Sequence, residues 1–449
     1  MKIKNLESLD SDFKELLSKG GVSFLFRILG QVGGFALSFV IANKFGADSL
    51  GDYVLAIIVL RIGTMLAKMG IDTTAVRMIS SFASQHKWQS IKLFIRKVII
   101  LLSLSSVFYS GVLYFAADYI ADLINANKFH IEIVAFFILP MAFFILHYQC
   151  LRGLKKIGLY SFFYWFSQSI FSLFIIMFFL SSIDIFSKEG FFVISNIPIY
   201  AYLLSLTIVS IASFIVYQLT IRKAYVTHNE IIDSINISQI LSISIPLMFA
   251  QSGQMIMSWT DKLMLGAMES SVSVGVYHIA FKLSMFASIT LMAVNSIAAP
   301  KFSELYAKDD MKGLQKVVRQ STKIIFWTSI PLIIIFFSFP KYFLGLFGVE
   351  FIIGINAFIF LACGKLVSAF SGSVGNLLQM TGKQVVFMKI LFAGAILNII
   401  LNYILIPIWG INGAAIASMA SIIFWNMSMV IFINREFGFL TLYIPFLNR

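Results

Sequence analysis

Apolar stretches of about twenty residues, separated by short polar breaks, recur along the whole chain, and each is long enough for a helix to cross a bilayer. Twelve are predicted: 22–43, 50–70, 94–117, 130–150, 158–181 and 191–221, then 236–259, 272–299, 324–340, 354–380, 387–408 and 412–434. The limits are least sharp beside Lys262 and Lys365, where a charge interrupts an apolar run. Only the connection at 300–323 has room for a surface helix, and none has room for a soluble domain. The predicted fold class is all-α integral membrane, with twelve transmembrane helices.

Composition supports this. The chain has 449 residues, 59% hydrophobic and 12% charged, against about 25% charged in soluble domains. With a mean hydropathy of +0.90, the chain cannot cover its apolar surface with so few charges. The formal net charge of +13 would suggest nucleic acid on a soluble protein, but here topology accounts for it. Of the 34 basic residues, 24 fall on one side of the predicted spans and five (Lys44, Lys128, Lys188, Lys262, Lys341) on the other. That asymmetry places both termini in the cytoplasm, and no nucleic-acid partner is expected.

Cys150 and Cys363 lie in or beside apolar spans and suggest neither a disulfide framework nor a metal site. Residues 1–20 lack the apolar core of a cleavable signal; Ile3, Leu6, Phe13 and Leu16 fit a surface helix, and a plain cytoplasmic tail fits as well. No GxxxxGK[ST] loop is present, so ATP hydrolysis is not expected. No His, Cys and carboxylate cluster has metal spacing, and no nucleophile has a base in a polar setting. The chain is therefore read as a non-enzyme without a cofactor.

The two halves are related. Gly51, Tyr53, Ala56, Ala75 and Arg77 recur 224 residues later as Gly275, Tyr277, Ala280, Ala299 and Lys301. Gly46-Ala47 matches Gly266-Ala267 after a four-residue insertion. The chain divides into an N-terminal lobe, 1–225, and a C-terminal lobe, 226–449. Six helices per lobe is an even number, so the repeats share one orientation, a plan common in transporters.

The stretch from Gly46 to Arg77, GADSLGDYVLAIIVLRIGTMLAKMGIDTTAVR, resembles the N-terminal signature of bacterial polysaccharide flippases, within the multidrug/oligosaccharidyl-lipid/polysaccharide exporter superfamily. TDKLMLGAMESSVSVGVYHIAFKL, NSIAAPKFSELYAKDD and ILIPIWGINGAAIAS resemble the matching C-terminal landmarks. The resemblance implies a V-shaped pair of six-helix bundles around a central cavity. The implied substrate is an undecaprenyl-pyrophosphate-linked oligosaccharide, an O-antigen or capsule repeat unit. It would move from the cytoplasmic to the outer leaflet of the bacterial inner membrane by alternating access. Implied partners are this lipid-linked oligosaccharide and membrane lipids, with a polysaccharide polymerase and a chain-length regulator as candidate partner enzymes. A monomer is expected, since the two lobes already supply a pseudo-symmetric pair.

Apart from Arg96, Lys97 and Lys389, counted above with the cytoplasmic ends of their helices, five cations fall inside predicted spans: Arg27, Arg61, Lys68, Lys282 and Lys365. Each costs about 2.5–3.5 kcal/mol at a helix centre unless it meets water or an anion. Arg27 shares a helix face with Gln31 and Gly34, and Arg61 with Lys68. Arg27, Arg61, Lys282 and Lys365 are the candidate substrate-binding cations, suited to pyrophosphate and acidic sugars. Lys68 can equally pair with Asp72, and Lys262 with Asp261 as a pair snorkelling at the interface. Arg77 and Lys301 fit anchors at the cytoplasmic ends of their helices.

Polar stripes give secondary candidates: Gln251 and Gln254 with Ser258, Asn398 with Asn402, and Asn376 with Gln379. Each stripe either lines a hydrated path or joins helices. His147 and Gln168 are read as satisfied within the bundle, and the 47 phenylalanines as core or lipid-facing. No carboxylate is expected near a span centre, so a coupling ion, proton or sodium, stays unassigned. Three alternatives remain: a cation-coupled multidrug antiporter, a peptidoglycan-precursor flippase and a non-transporting scaffold.

Overall fold

The computed structural model describes residues 11–182, 194–224 and 236–443, and no strand occurs among them. In chain order the helices are α1 (Ser11–Lys68), α2 (Ile71–Ser84), α3 (Trp88–Phe115), α4 (Ala117–Leu123), α5 (Lys128–Ala135) and α6 (Ile138–Gly153). Then come α7 (Ile157–Ser161), a π-helical turn (Phe162–Ser167), α8 (Gln168–Ser181), α9 (Ile197–Ala224), α10 (Ile237–Met268) and α11 (Ser271–Ser284). The last are α12 (Ile289–Ala307), α13 (Met311–Ser338), α14 (Pro340–Gly345), α15 (Ile355–Ser371), α16 (Val374–Met380) and α17 (Gln384–Phe437).

Among the described residues, eight helices are long and apolar enough to cross a membrane, or nine if α5 and α6, bent by 51°, form one span. Two of the eight are double length, 48 residues for Gly21–Lys68 and 54 for Gln384–Phe437. Straight helices of those lengths would run about 72 and about 81 Å, far beyond a hydrocarbon core of about 30 Å. Each instead breaks at one glycine, Gly46 (φ 81°, ψ 177°) and Gly410 (φ 53°, ψ −129°). Backbone with φ in this range costs most L-residues free energy that glycine avoids. The predicted pairs 22–43 with 50–70, and 387–408 with 412–434, thus meet at single residues. A carboxylate lies at each break: Ala47 donates its amide to Glu350 Oε1 at 2.7 Å, and a Cβ on Gly410 would lie 3.2 Å from Glu269 Oε1. Negative charge there complements the exposed amides of a helix start.

Two other predicted limits move for the same reason. Gly70, at φ 76°, ends α1 at Lys68 and lets α2 restart at Ile71; Gly372, at φ 73°, divides the predicted span 354–380 into α15 and α16. The predicted lobe boundary at 225/226 and the first residues of the 191–221 span lie outside the described residues.

The helices pack as two compact units. The first comprises Met1–Ile41, Ala56–Asp122 and Asn127–Phe249, and the second Ala42–Leu55, Leu123–Ala126 and Ala250–Arg449. In the first, Ile71, Ile79 and Phe82 of α2 pack with Phe94 and Val98 of α3 and Leu146 of α6. In the second, Phe302 of α12, Val318 of α13, Leu377 of α16 and Ile433 of α17 form the core. Many large apolar side chains are exposed instead, among them Phe108, Phe174 and Tyr403, as expected of surface that faces lipid.

Within the second unit the repeat has a structural counterpart. A Cβ on Gly51 would stand 1.8 Å from the Ser271 carbonyl oxygen, and one on Gly275 would stand 2.1 Å from that of Ala47 and 3.2 Å from the Gly51 nitrogen. The repeat-matched glycines therefore meet at one helix crossing, closed further by a hydrogen bond from the Ser271 hydroxyl to Asp48. Small residues permit such contact between helices in lipid. Gly51→Ala or Gly275→Ala should lower the melting temperature of the purified protein in detergent, by the about 1–3 kcal/mol typical of overpacking. Gly111→Ala, whose Cβ would meet nothing within 4 Å, should not lower it.

Candidate functional site

In the first unit, α1 runs against the π-helical turn so closely that a Cβ on Gly30 would lie 2.0 Å from the Trp165 carbonyl oxygen. That approach carries Arg27, one turn earlier, over the Trp165 ring, with 4.7 Å between the guanidinium carbon and the ring centroid. Such stacking stabilises a cation that water does not fully solvate. Trp165 begins a run of rings: Tyr164 at 4.5 Å, Tyr160 stacked on Tyr164 at 5.4 Å, and Tyr148 also 5.4 Å from Tyr164. Arg152 covers Tyr160 at 5.3 Å. A π-helical turn inserts a residue into the helical register, and here five consecutive aromatic residues, Phe162 to Phe166, begin it.

The other first-unit candidates are spread along α1. Gln31 is half-buried one turn beyond Arg27, and Arg61 is exposed. Lys68 is buried and pairs with buried Asp72 at 2.6 Å, which leaves little positive charge for a ligand.

The second unit contains what the sequence did not reveal. Asp261, only 3% exposed, accepts four hydrogen bonds. Asn398 and Asn402 donate to Oδ1 at 3.0 and 2.8 Å. Tyr277 donates to Oδ2 at 2.6 Å, and Ser418 also donates to it. One carboxylate thus ties α10 to α11 and to both arms of α17. Ionised carboxylates are costly in an apolar interior unless donors of this kind surround them.

Several expectations are corrected here. Asp261 and Lys262 are not an interfacial snorkelling pair, because α10 continues past both to Met268 and both residues are buried. Lys262 instead donates to the Ser258 carbonyl at 3.2 Å and lies 4.5 Å above the Phe281 ring. Asn398 and Asn402 join helices, since both are buried and directed at Asp261. The legible signal was two amides at i, i+4 in an otherwise apolar helix, which need a buried acceptor; Asp261 is the acid within α10 that supplies it.

Lys365 of α15 lies 5.6 Å from the same Phe281 ring, and Phe281 stacks on Tyr277 at 6.2 Å. Lys262, Lys365 and Asp261 are therefore grouped around one Tyr–Phe pair. Lys282, half-buried, follows Phe281 on α11. Asn376 is half-buried on α16, and Gln379 there donates to the Gly375 carbonyl at 3.2 Å. The side chains of Gln251 and Gln254, on α10, lie outside the described residues.

Outside the spans, Lys301 pairs with Glu304 at 2.8 Å and Lys308 with the same carboxylate at 2.7 Å. The two ammonium groups pull the exposed Glu304 carboxyl down to about 2. Among the described residues, no three His, Cys, Asp or Glu side chains are grouped to hold a metal ion.

The family described as "Polysaccharide biosynthesis protein" matches residues 16–306, and the MatE family matches 246–404. A probable low-salt glycan biosynthesis flippase of Haloferax volcanii, Agl15, is 28% identical over 165 residues, 36% of this chain and 35% of that protein. The probable flippase AglR of the same organism is 25% identical over 167 residues, again 36% and 35%. An uncharacterized membrane protein of Methanocaldococcus jannaschii is 26% identical over 246 residues, 53% and 48%. The chain thus spans between a third and a half of the length of these relatives. Among solved structures, an inward-facing multidrug resistance MATE family transporter of the MOP superfamily superposes with TM-score 0.73 at 15% identity, covering 93% of this chain and 98% of that one. The lipid II flippase MurJ, inward closed, gives 0.71 at 16%, covering 94% and 89%. These likenesses show the fold.

Removing the Asp261 carboxylate should unsettle this unit strongly. Asp261→Ala leaves two buried amides and two hydroxyls without their acceptor, and breaking a buried charged network costs about 3–5 kcal/mol. Asp261→Asn, which keeps the shape, should melt closer to wild type in the same detergent assay.

Proposed function

Because the chain belongs to the polysaccharide biosynthesis protein family, we propose that it is a flippase for a lipid-linked oligosaccharide, the undecaprenyl-pyrophosphate-linked O-antigen or capsule repeat unit. The observation that carries this reading is the placing of cations against aromatic rings inside apolar helices. Arg27 lies over Trp165, and Lys262 and Lys365 lie against Phe281. Cation charge suits pyrophosphate, guanidinium forks onto its oxygens, and rings with polar edges such as Tyr160, Tyr164 and Trp165 suit sugar faces. The names of the Haloferax relatives, both probable flippases, support the same class.

The rest of the proposal follows from the sequence. Twelve spans form two six-helix lobes, 1–225 and 226–449, around a central cavity. Arg27, Arg61, Lys282 and Lys365 face that cavity, both termini are cytoplasmic, and the protein acts as a monomer in the bacterial inner membrane. Moving an anion outward gains about 2.3 kcal/mol per charge per 100 mV of interior-negative potential. Asp261 supplies the carboxylate through which a proton or sodium ion would bias the exchange between inward- and outward-open states. The buried Asn402 Oδ1, which lacks a hydrogen-bond partner among the described residues, offers a second oxygen there.

A buried acid also favours one other reading, the cation-coupled multidrug antiporter, whose fold this chain shares. The four donors around Asp261 argue against its use for a bulky cation, which would have to displace several of them at once. Complementation of a flippase-deleted strain separates the readings. Wild type should restore surface polysaccharide, while Arg61→Ala and Lys282→Ala should abolish it at equal membrane levels. Export retained by both variants would remove these residues from the site. Drug resistance without export would favour the antiporter.

A further inference from the structure

Away from the intramembrane charges, the first unit has a groove of about 610 Å³ between the first turns of α3 and the last turns of α9. Lys92 and Arg96 line it from α3, one turn apart on a single face, and Arg222 lines it from α9. All three are exposed. Their own helices supply no acid: the sequence has no Asp or Glu between Asp72 and Asp118, and none in α9. Among the described residues none of the three takes part in an ion pair.

The floor of the groove is different in kind. Ile95 and Tyr217 are buried there, and Ile99 and Ile100 continue the lining along α3 toward its apolar middle. Tyr217 adds a hydroxyl that has no hydrogen-bond partner among the described residues. Trp88 lines the groove at the first residue of α3, the position interfacial tryptophans favour. A polar, triply cationic mouth that runs into an apolar wall matches an amphiphile with an anionic head. A free phosphate would use the cations and leave the isoleucine wall without a purpose.

We propose that this groove binds one anionic phospholipid from the leaflet at the basic ends of the helices. Lys92, Arg96 and Arg222 hold its phosphate, and its acyl chains follow Ile99 and Ile100. Basic pockets between transmembrane helices bind lipid headgroups on this electrostatic principle. The site is separate from the proposed transport residues and does not depend on what the protein carries.

Native mass spectrometry of the purified full-length protein, incubated with dioleoyl-phosphatidylglycerol or dioleoyl-phosphatidylcholine, tests this. Each near-surface cation is worth about fivefold in binding. Arg96→Gln should therefore weaken phosphatidylglycerol retention about fivefold. Lys92→Gln with Arg96→Gln and Arg222→Gln should weaken it by on the order of a hundredfold, down to the phosphatidylcholine level. A control triple on α13, Lys312→Gln with Lys316→Gln and Arg319→Gln, should retain phosphatidylglycerol as wild type does. Should the groove triple not melt like wild type, the single variants decide the outcome. Equal retention of the two lipids, or equal loss in both triples, would overturn the proposal. So would displacement of the lipid by millimolar inorganic phosphate, which marks a phosphate site, or preference for farnesyl pyrophosphate, which marks an isoprenoid one.

Discussion

Lipid is as apolar as leucine, so helices inside a bilayer gain little by hiding leucine from it, and they must be held together by other means. This chain uses two. One is close backbone contact, where Gly51 and Gly275 remove the side chains that would separate two helices. The other is a buried carboxylate, Asp261, toward which α11 and both arms of α17 direct amide and hydroxyl donors. Both lie in the same unit, and Tyr277 connects them, two residues beyond Gly275 and bonded to Asp261. The packing that places Phe281 beneath Lys262 and Lys365 depends on that connection.

Two kinds of partner occur among the charged groups inside the spans. Lys68 and Asp72 neutralise each other and hold the turn at Gly70. Arg27, Lys262 and Lys365 rest on aromatic faces, which stabilise a cation without cancelling its charge. A ring leaves the field of the cation available to a phosphate, whereas a carboxylate does not.

The fold class was legible because apolar length alone dictates spanning helices, and the duplication was legible in residues that make a specific contact. Sequence periodicity did not show that two predicted pairs of helices join through single glycines, since a break in φ at Gly46 or Gly410 leaves the hydropathy almost unchanged. The Arg27 candidate could be picked out from its cost in an apolar span, but its ring partner could not, because the π-helical turn at Phe162–Ser167 sets which aromatic residues face α1. Asp261 was misread for a related reason. Its neighbour Lys262 suggested the end of a span, while the residues that justify its burial, Asn398, Asn402 and Ser418, lie more than 130 positions away.

The carboxylate at the Gly46 break has a further consequence, in the order of synthesis. Ala47 leaves the ribosome 303 residues ahead of Glu350, whose side chain caps it. At roughly 5–20 residues per second that interval is about 15–60 s. Throughout it, the two arms of α1 are already made while the crossing at Gly51 lacks Gly275 and the break lacks its acid. Residues 42–55 belong by their contacts to the unit completed last. The first helices of the chain therefore wait in the membrane, half finished, for the second half to arrive, and a protein cut at its midpoint would leave them without the partners that close them.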